Sequence, residues 1–188
     1  TAPSETWFTL ILEKMREEED EQTQMWLQGV VDMMFREVFH SPNSNFGSMI
    51  HELYLDLGSY GTGVLYVEDK PGRPINFRTY HLAECYIAEN AEGAVDTLYR
   101  QYKHSGRQLV QMYKDKLPEK FIENVYKDPH KEYTCIHAVE PRDTFNPDSK
   151  LAKNMPWMSA YILEEEKLVL NVGGFNEFPY MVPRWTKT

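Results

Sequence analysis

Residues 46–80 read FGSMIHELYLDLGSYGTGVLYVEDKPGRPINFRTY, and over this stretch the spacing of the apolar residues changes from helical to strand-like. In the first part, apolar side chains recur every three or four residues, which predicts an amphipathic helix. Ser44 or Asn45 can cap the start of this helix, and Gly58 marks its expected end. The apolar face is formed by Phe46, Met49, Ile50, Leu53, Tyr54 and Leu57.

A β-hairpin is predicted directly after this helix. Residues 64–67 form a short apolar run, and residues 75–80 alternate apolar with polar side chains as a half-buried strand does. Pro71 and Gly72, which lie between the two runs, are typical of a turn.

The segment before residue 46 predicts another amphipathic helix, over residues 17–39. An acidic run at residues 17–21 suits the positive end of the helix dipole, and residues 41–43, Ser-Pro-Asn, are expected to stop the helix. The apolar residues with helical spacing are Leu27, Val30, Val31, Met34, Phe35, Val38 and Phe39.

Beyond the hairpin, the sequence predicts further strands and two short inserted helices. Ser105 can cap a helix over residues 108–113, and Pro118 with Glu119 can begin another that runs through Val125. The predicted strands are 85–88, 95–103, 133–139, 158–164, 168–172 and 180–185, with a turn at Gly173-Gly174 and a long exposed loop at 141–156.

Helices therefore come first and strands later, which predicts an α+β fold: N-terminal amphipathic helices leading into a mostly antiparallel β-sheet with two short inserted helices. We expect a single domain over residues 1–188, helical over 1–60 and mainly β over 61–188, with the inserted helices near 106–127.

Composition places the chain among ordinary globular proteins, since 41% of its 188 residues are hydrophobic and 26% are charged. Apolar runs stay well short of the roughly 18 residues that a membrane helix needs, so we expect neither a membrane span nor a signal peptide. Lys and Arg number 20 against 29 Asp and Glu, which gives a formal charge of -9 that repels phosphate. This charge disfavours DNA clamping but suits a protein that DNA passes without sticking.

Two cysteines, Cys85 and Cys135, do not make a disulfide framework and favour a reducing compartment. A four-ligand zinc site could combine them with His81, four residues before Cys85, and His137, which shares a strand face with Cys135. The pairs lack the close Cys-x-x-Cys spacing, so we favour buried cysteines and hydrogen-bonded histidines.

A magnesium-dependent nuclease is the alternative from the enzyme class. Pro147-Asp148 followed by Glu165-Glu166-Lys167 has the spacing in which carboxylates hold magnesium and a lysine steadies the attacking water. On a strand, Glu165 and Lys167 would share one face. Acidic chains often contain such residues on solvated loops and strand faces, and the helix expected before the first carboxylate is missing, so we favour the solvated interpretation.

Two further patterns have structural explanations. Gly58, Gly61 and Gly63 resemble a phosphate loop, but they follow a helix and precede a strand, which favours a helix C-cap and a turn that needs positive φ. The run Tyr99, Arg100, Tyr102, Lys103, His104 and Arg107 interleaves aromatic and cationic residues as single-strand nucleic-acid binders do. Strand alternation sends Arg100 and Tyr102 to one face, which favours a half-solvated strand, with contact to another protein as the functional alternative.

Ser, His and Asp residues are scattered without a nucleophile elbow, so a hydrolase triad has no support. We assign no residue to catalysis, to a cofactor or to a metal.

Several segments resemble, in the same order, the head-to-tail connecting (portal) proteins of short-tailed bacteriophages. The resemblance covers most of the chain from about Phe46 to Trp185 and depends on many elements together. The segments are His51 to Gly58, Gly61 to Gly63, Tyr86 to Asn90, Gly93 with Val95 to Thr97, Arg107 to Leu109, Ile136 to Arg142, Gly173 to Tyr180, and Pro183 to Trp185.

The resemblance implies a structural, non-enzymatic subunit of a ring, usually dodecameric, through which DNA is packaged and ejected. The implied partners are other copies of the subunit, capsid and scaffolding proteins, a tail adaptor and the terminase, with double-stranded DNA passing through the channel without specific binding and with no membrane partner. The implied location is the virion, at the portal vertex of the capsid, and the host cytoplasm during assembly.

In this family, the stretch corresponds to the wing region, whereas the stem and the clip follow later in sequence and are absent here. Thr1-Ala2-Pro3 resembles a family element that precedes Trp7 by a longer helical stretch, so we expect a missing segment between Ser4 and Glu5. Because much of the ring contact is expected in the stem, we predict a monomer or a weak oligomer in solution.

Overall fold

Two helices precede the strands along the chain and two shorter helices are inserted among them, which confirms the predicted α+β class. The structure is a computed structural model that describes residues 6–12, 21–41, 44–70, 72–149 and 151–185, so the predicted junction at Ser4 and Glu5 lies outside the described residues. Contacts within the chain divide it into two compact units: unit 1 extends to Thr79 and resumes at Pro183, and unit 2 is Tyr80–Val182. The expectation of one domain over residues 1–188 stays a prediction.

The first amphipathic helix is α1 (Glu21–Met34), which continues as a π-helical turn at Phe35–Phe39. Leu27, Val31 and Phe35 are its buried residues, as the apolar spacing predicted. Parts of the predicted acidic start and of the predicted stop, residues 17–20 and 42–43, lie outside the described residues.

The second helix is α2 (Phe46–Tyr60), which ends two residues beyond the predicted end around Gly58. The helix continues to Tyr60, and Gly61 ends it with a φ of 72° and a bond from its N–H to the Leu57 carbonyl at 2.9 Å. Glycine adopts this left-handed conformation without the steric cost that a Cβ would add, so Gly61 is the C-terminal cap.

At the start of α2, the two candidate caps have different contacts. Ser44 Oγ accepts a bond from the Phe46 N–H at 3.2 Å. The Asn45 side chain makes no capping bond; its Nδ2 donates to the Phe77 carbonyl at 2.6 Å and its Oδ1 accepts from the Phe77 N–H at 3.0 Å. The Asn45 side chain therefore bonds to both backbone groups of Phe77, as a residue of a neighbouring strand would, and this connects the start of α2 to the hairpin.

The hairpin is confirmed as β1 (Val64–Lys70) and β2 (Arg73–Tyr80), although Pro71 in its turn lies outside the described residues. Leu65 and Phe77 of the hairpin share a buried cluster with Leu53 of α2. A continuous series of aromatic contacts with ring centroids 4.8 to 5.8 Å apart also joins the elements of unit 1. The rings are those of Trp7, Phe8, Phe35, Phe39, Phe46 and Phe77.

Unit 2 contains a five-stranded sheet of order β3-β4-β5-β6-β7, in which every neighbouring pair is antiparallel. The strands are β3 (Cys85–Glu89), β4 (Val95–Ser105), β5 (Glu132–Pro141), β6 (Trp157–Leu163) and β7 (Leu168–Phe175).

The two inserted helices are α3 (Gly106–Tyr113) and α4 (Glu119–Lys127), and both pack on one face of this sheet. Leu109 of α3 and Phe121 of α4 lie in one buried cluster with Tyr133, Cys135 and Leu163 of the sheet. We call the covered side the inner face and the opposite side the open face. Helices on one side of an antiparallel sheet are the usual α+β arrangement.

Two predictions near the C-terminal end are wrong. Gly173-Gly174 is not a turn but part of β7, and the last predicted strand is reduced to β8 (Tyr180–Met181). A Cβ on Gly174 would meet the carbonyl oxygens of Ala152 and Trp157, so this glycine reflects close backbone approach rather than a turn.

The predicted long loop is confirmed, but it has internal structure. It contains a 3-10 turn at Ala152–Asn154, and bonds from Arg142 N to the Pro156 carbonyl at 2.8 Å and from Asn146 N to the Asn154 carbonyl at 3.0 Å join its two sides. Within the described ranges, no helix combines the length and the apolar character that crossing a membrane requires.

Candidate functional site

The most enclosed polar group of the inner face is His137 on β5, which is 2% exposed. Its Nδ1 lies 2.8 Å from Tyr180 Oη, its Nε2 lies 3.0 Å from Ser159 Oγ, and its ring stacks on Tyr161 with centroids 4.1 Å apart. Burial, and secondarily the nearby Arg100 cation, lower the pKa of His137 to about 3. The imidazole is therefore neutral at physiological pH.

Ser159 and His137 have the contact of a nucleophile and its base, but the surroundings favour a structural role. Ser159 is also buried, at 4% exposure, and the second ring nitrogen contacts a tyrosine rather than a carboxylate. A substrate would have no access to the hydroxyl. The sequence contained no signal for this group, because its members are brought together only by strand register.

Arg100 on β4 adjoins this group and is held between two aromatic rings. Its guanidinium carbon lies 3.8 Å from the Tyr80 ring centroid and 4.2 Å from that of Tyr102. Its Nε and Nη2 contact Glu84 Oε2 at 2.9 and 2.8 Å. Arg100 is a packed cation with a carboxylate partner, which is consistent with a structural role on the inner face.

The open face of the sheet has an apolar centre. Directly paired residues form two rows across the strands, and the inserted helices α3 and α4 pack on the other face. The 3-10 turn at Ala152–Asn154 lies against the end of β7, where a Cβ on Gly174 would meet the Ala152 carbonyl oxygen. Val169 and Val172 on β7 are 51% and 53% exposed, whereas Ala138 and Ala160 in the centre are buried. The first row is Tyr86, Tyr99, Ala138, Ala160 and Val172, and the second is Gln101, Ile136, Ile162 and Val169.

Polar side chains at the margin of the open face bond to one another. Tyr99 Oη donates to Glu140, Gln101 Nε2 donates to Glu164 at 3.1 Å, and Lys103 contacts Glu132 at 3.2 Å. The basic and aromatic run seen in the sequence is therefore divided between the two faces, with Arg100 and Tyr102 on the inner face, as predicted.

Unit 1 has a second exposed apolar surface, on α1. Met25 and Trp26 are 70% and 66% exposed, and Met33 lies two turns beyond Trp26 on the same side of the helix. We call Met25, Trp26 and Met33 the α1 stripe. The helical spacing predicted a single apolar face on α1 and did not indicate this stripe, although the three residues are visible in the sequence.

The nuclease residues do not form a recognisable centre. Asp148 lies exposed in the loop before β6, and its N–H bonds to Asn146 Oδ1 at 3.1 Å. Glu165 and Lys167 lie in the turn between β6 and β7 rather than on a strand, and Glu165 accepts a bond from the Thr134 N–H at 2.8 Å. Over the described ranges, no group of three or more His, Cys, Asp or Glu residues is placed to hold a metal.

The zinc candidates are separated by a cation. Strand register places Arg100 between Cys85 on β3 and His137 on β5. His81 uses Nδ1 to accept a bond from the Ala83 N–H at 3.1 Å. Burial is the main cause that raises the pKa of Cys85, and likewise that of Cys135, to about 11. Protonated thiols are poor metal ligands, and the Arg100 cation lies beside Cys85.

The glycine pattern is a helix end, as predicted. Gly61 caps α2 with positive φ, and a Cβ on Gly63 would lie 2.6 Å from Leu53 Cδ1, so Gly63 permits close packing against the helix. Neither glycine begins a helix that could bind phosphate.

Comparison with known proteins gives consistent matches. A family model described as bacteriophage head to tail connecting protein matches residues 1–188. Relatives include the probable portal protein of Bordetella phage BPP-1, 29% identical over 190 residues, and the portal protein of Salmonella phage epsilon15, 30% identical over 193 residues. Each match covers 98% of this chain but 34% of the relative, so the chain spans about a third of the length of these curated relatives.

The family match extends over all 188 residues and confirms the resemblance seen in the sequence. The chain therefore belongs to the bacteriophage head to tail connecting protein family.

Proposed function

We propose that these residues are part of a structural subunit of a phage portal, the ring that joins head to tail and through which DNA is packaged and ejected. The observation that carries this proposal is the family match over residues 1–188, together with two relatives named as portal proteins. Because the chain spans about a third of those relatives, the ring itself is a property of the longer protein.

Within that subunit, we assign the chain to the wing region, with the stem and the clip encoded elsewhere. The α+β architecture supports this assignment, since long stem-like helices are not among the described elements. The proposed ring is dodecameric, and its proposed partners are capsid and scaffolding proteins, a tail adaptor and the terminase. Its proposed location is the portal vertex of the virion, after assembly in the host cytoplasm.

The formal charge of -9 supports a conduit rather than a DNA clamp. A surface with this sign repels the phosphate backbone, so DNA can move past it without specific binding. Lys and Arg contacts, which dominate DNA affinity in binding proteins, are outnumbered here by carboxylates.

Ring assembly can be tested on the complete gene product that carries these residues. Electron microscopy and light scattering of the purified protein are expected to reveal closed rings of twelve subunits. Particles that remain single subunits at every concentration would contradict the proposed function.

The absence of catalysis can be tested separately. We expect plasmid DNA incubated with the complete protein and Mg²⁺ to stay intact, and the Asp148→Ala variant to give the same result. Cleavage by the unmodified protein that Asp148→Ala abolishes would favour the nuclease.

A further inference from the structure

We propose that the open face of the five-stranded sheet is a contact between neighbouring copies of this chain, with a different surface of the second copy packing onto it. This inference rests on the ring assembly proposed above, and it adds the surface that one subunit offers to the next.

The centre of the open face has the character of a protein interface. Its two transverse rows contain no charged residue, and Val169 and Val172 stay about half exposed although both are apolar. Buried Ala138 and Ala160 lie between larger side chains of the same rows, which makes the surface shallow enough for a protein to pack against it. Exposed apolar patches of this kind mark interaction sites.

The margin of the open face is polar but already paired. The bonds from Tyr99 to Glu140, from Gln101 to Glu164 and from Lys103 to Glu132 satisfy these side chains within the chain. A small polar ligand would have to break them, whereas a protein surface can bury the apolar centre and leave the rim intact. An apolar centre within a polar rim is the usual anatomy of an interface.

The net charge of the chain favours the open face over most other parts of the surface as the place where a second copy packs. Two chains that each carry a formal charge of -9 repel one another, so a contact between copies should avoid charged surface. The two uncharged rows of the open face meet this condition, and the carboxylates Glu140 and Glu164 lie only at their margin.

The area of the open face is appropriate for one of several contacts between neighbouring subunits of a ring. Five strands about 4.8 Å apart and some six residues long give a footprint on the order of 400 Å². A stable pair of proteins usually buries roughly 800 Å² per partner. Two isolated copies would therefore associate weakly through this face, while a closed ring holds every copy on both sides.

The presence of two dissimilar exposed surfaces also agrees with a ring. A cyclic assembly of more than two subunits uses heterologous contacts, in which one surface meets a different surface of the next copy. The open face in unit 2 is flat, and the α1 stripe in unit 1, formed by Met25, Trp26 and Met33, lies on a helix. The chain thus carries two surfaces of different shape, as a heterologous contact requires.

The test uses the complete gene product with Val172→Lys, and separately Val169→Lys. Both valines are already half exposed, so a lysine can extend into solvent without disturbing the core. The matched control is Tyr126→Lys, which places the same charge on an apolar residue 69% exposed on α4. Circular dichroism melts establish that each variant is folded, and light scattering with electron microscopy measures the fraction of protein in rings.

We expect rings from the unmodified protein and from Tyr126→Lys, and loss of rings from both valine variants. Folded valine variants that still form rings would overturn the inference and leave the proposed function standing, and loss of rings in Tyr126→Lys as well would also count against it. An unmodified protein that forms no ring would overturn both proposals.

A milder variant decides the question if the lysine variants do not fold. Val169→Thr combined with Val172→Thr keeps the β-branched shape that suits a strand but removes apolar surface. Dilution of the ring followed by light scattering should then show dissociation at a higher protein concentration than for the unmodified ring. An unchanged dissociation curve would contradict the proposal.

Discussion

His137 is a base that the fold keeps uncharged. In the unfolded chain its pKa is near the ordinary 6.5, and burial lowers the folded-state pKa to about 3. Between these two values the unfolded state binds more protons than the folded state, so stability falls as the pH falls. The stabilisation is complete above pH 6.5 and is lost progressively toward pH 3.

The variant His137→Gln should reduce this acid sensitivity, because glutamine can form hydrogen bonds but does not titrate. From pH 7.5 to pH 5, one such histidine costs up to about 2 kcal/mol of unfolding free energy. Urea unfolding at both pH values measures the loss of unfolding free energy. Protonation of carboxylates at the lower pH changes the stability of both proteins alike. Equal losses in the two proteins would contradict the role assigned to His137.

Adjacent glycines on β7 provide another test at the residue scale. A Cβ on Gly174 would meet backbone oxygens of Ala152 and Trp157, whereas a Cβ on Gly173 would meet no heavy atom within 4 Å. We therefore expect Gly174→Ala to lower the unfolding free energy by about 1–3 kcal/mol, as overpacking does. The matched control Gly173→Ala should be close to neutral in the same melts, and a similar effect of both changes would refute this explanation.

Single residues were predictable where local chemistry decides their role. Ser105 as a helix cap and the positive φ in the glycine pattern at the end of α2 follow from rules that operate over a few residues. The contacts of His137 with Ser159 and Tyr180 were not predictable, because they depend on which strands become neighbours.

At the scale of elements, α3 depends on a reciprocal cap. Gln108 N–H donates to Ser105 Oγ at 3.4 Å, and Ser105 N–H donates to Gln108 Oε1 at 2.9 Å. The helix positions Leu109, which is fully buried in the core of unit 2. Loss of the cap should therefore weaken a helix that the core needs.

We expect Ser105→Ala to lower the unfolding free energy by about 1 kcal/mol, the usual effect of removing an N-cap hydroxyl. Chemical denaturation measures the change. Ser105→Thr, which retains the hydroxyl, is the control and should lose much less; an alanine variant as stable as the unmodified chain would exclude a capping role.

Element types were predicted better than element ends. The alternation of side chains identified the strands of the five-stranded sheet, but β7 continues through Gly173 and Gly174, where the sequence predicted a turn. Glycine is ambiguous at this level because it permits both a turn and a close approach between backbones. The end of α2 likewise lies two residues beyond the expected position around Gly58.

At the scale of the whole molecule, the 188-residue chain is expected to remain a monomer or a weak oligomer. The open face alone is smaller than a standard interface, and like charges oppose association. Light scattering should give a mass near 22.2 kDa at micromolar concentration. A stable ring formed by this chain alone would be the contrary result, and would place the principal subunit contacts within these residues.

The family could be recognised from the sequence because many short segments agree in order, and the match over all 188 residues confirms it. The surfaces could not be recognised in the same way. Exposure of the α1 stripe and of the open face depends on what the rest of the fold covers, and apolar spacing alone does not distinguish a buried face from an exposed one.

The condition of the two native thiols has a practical consequence. Cys135 is buried and Cys85 half-buried, and a pKa of about 11 keeps both protonated near neutral pH. Maleimide reagents attack the thiolate, so both residues should react slowly while the protein is folded. A single cysteine introduced at an exposed position could then carry a fluorophore selectively, with the natural cysteines left in place.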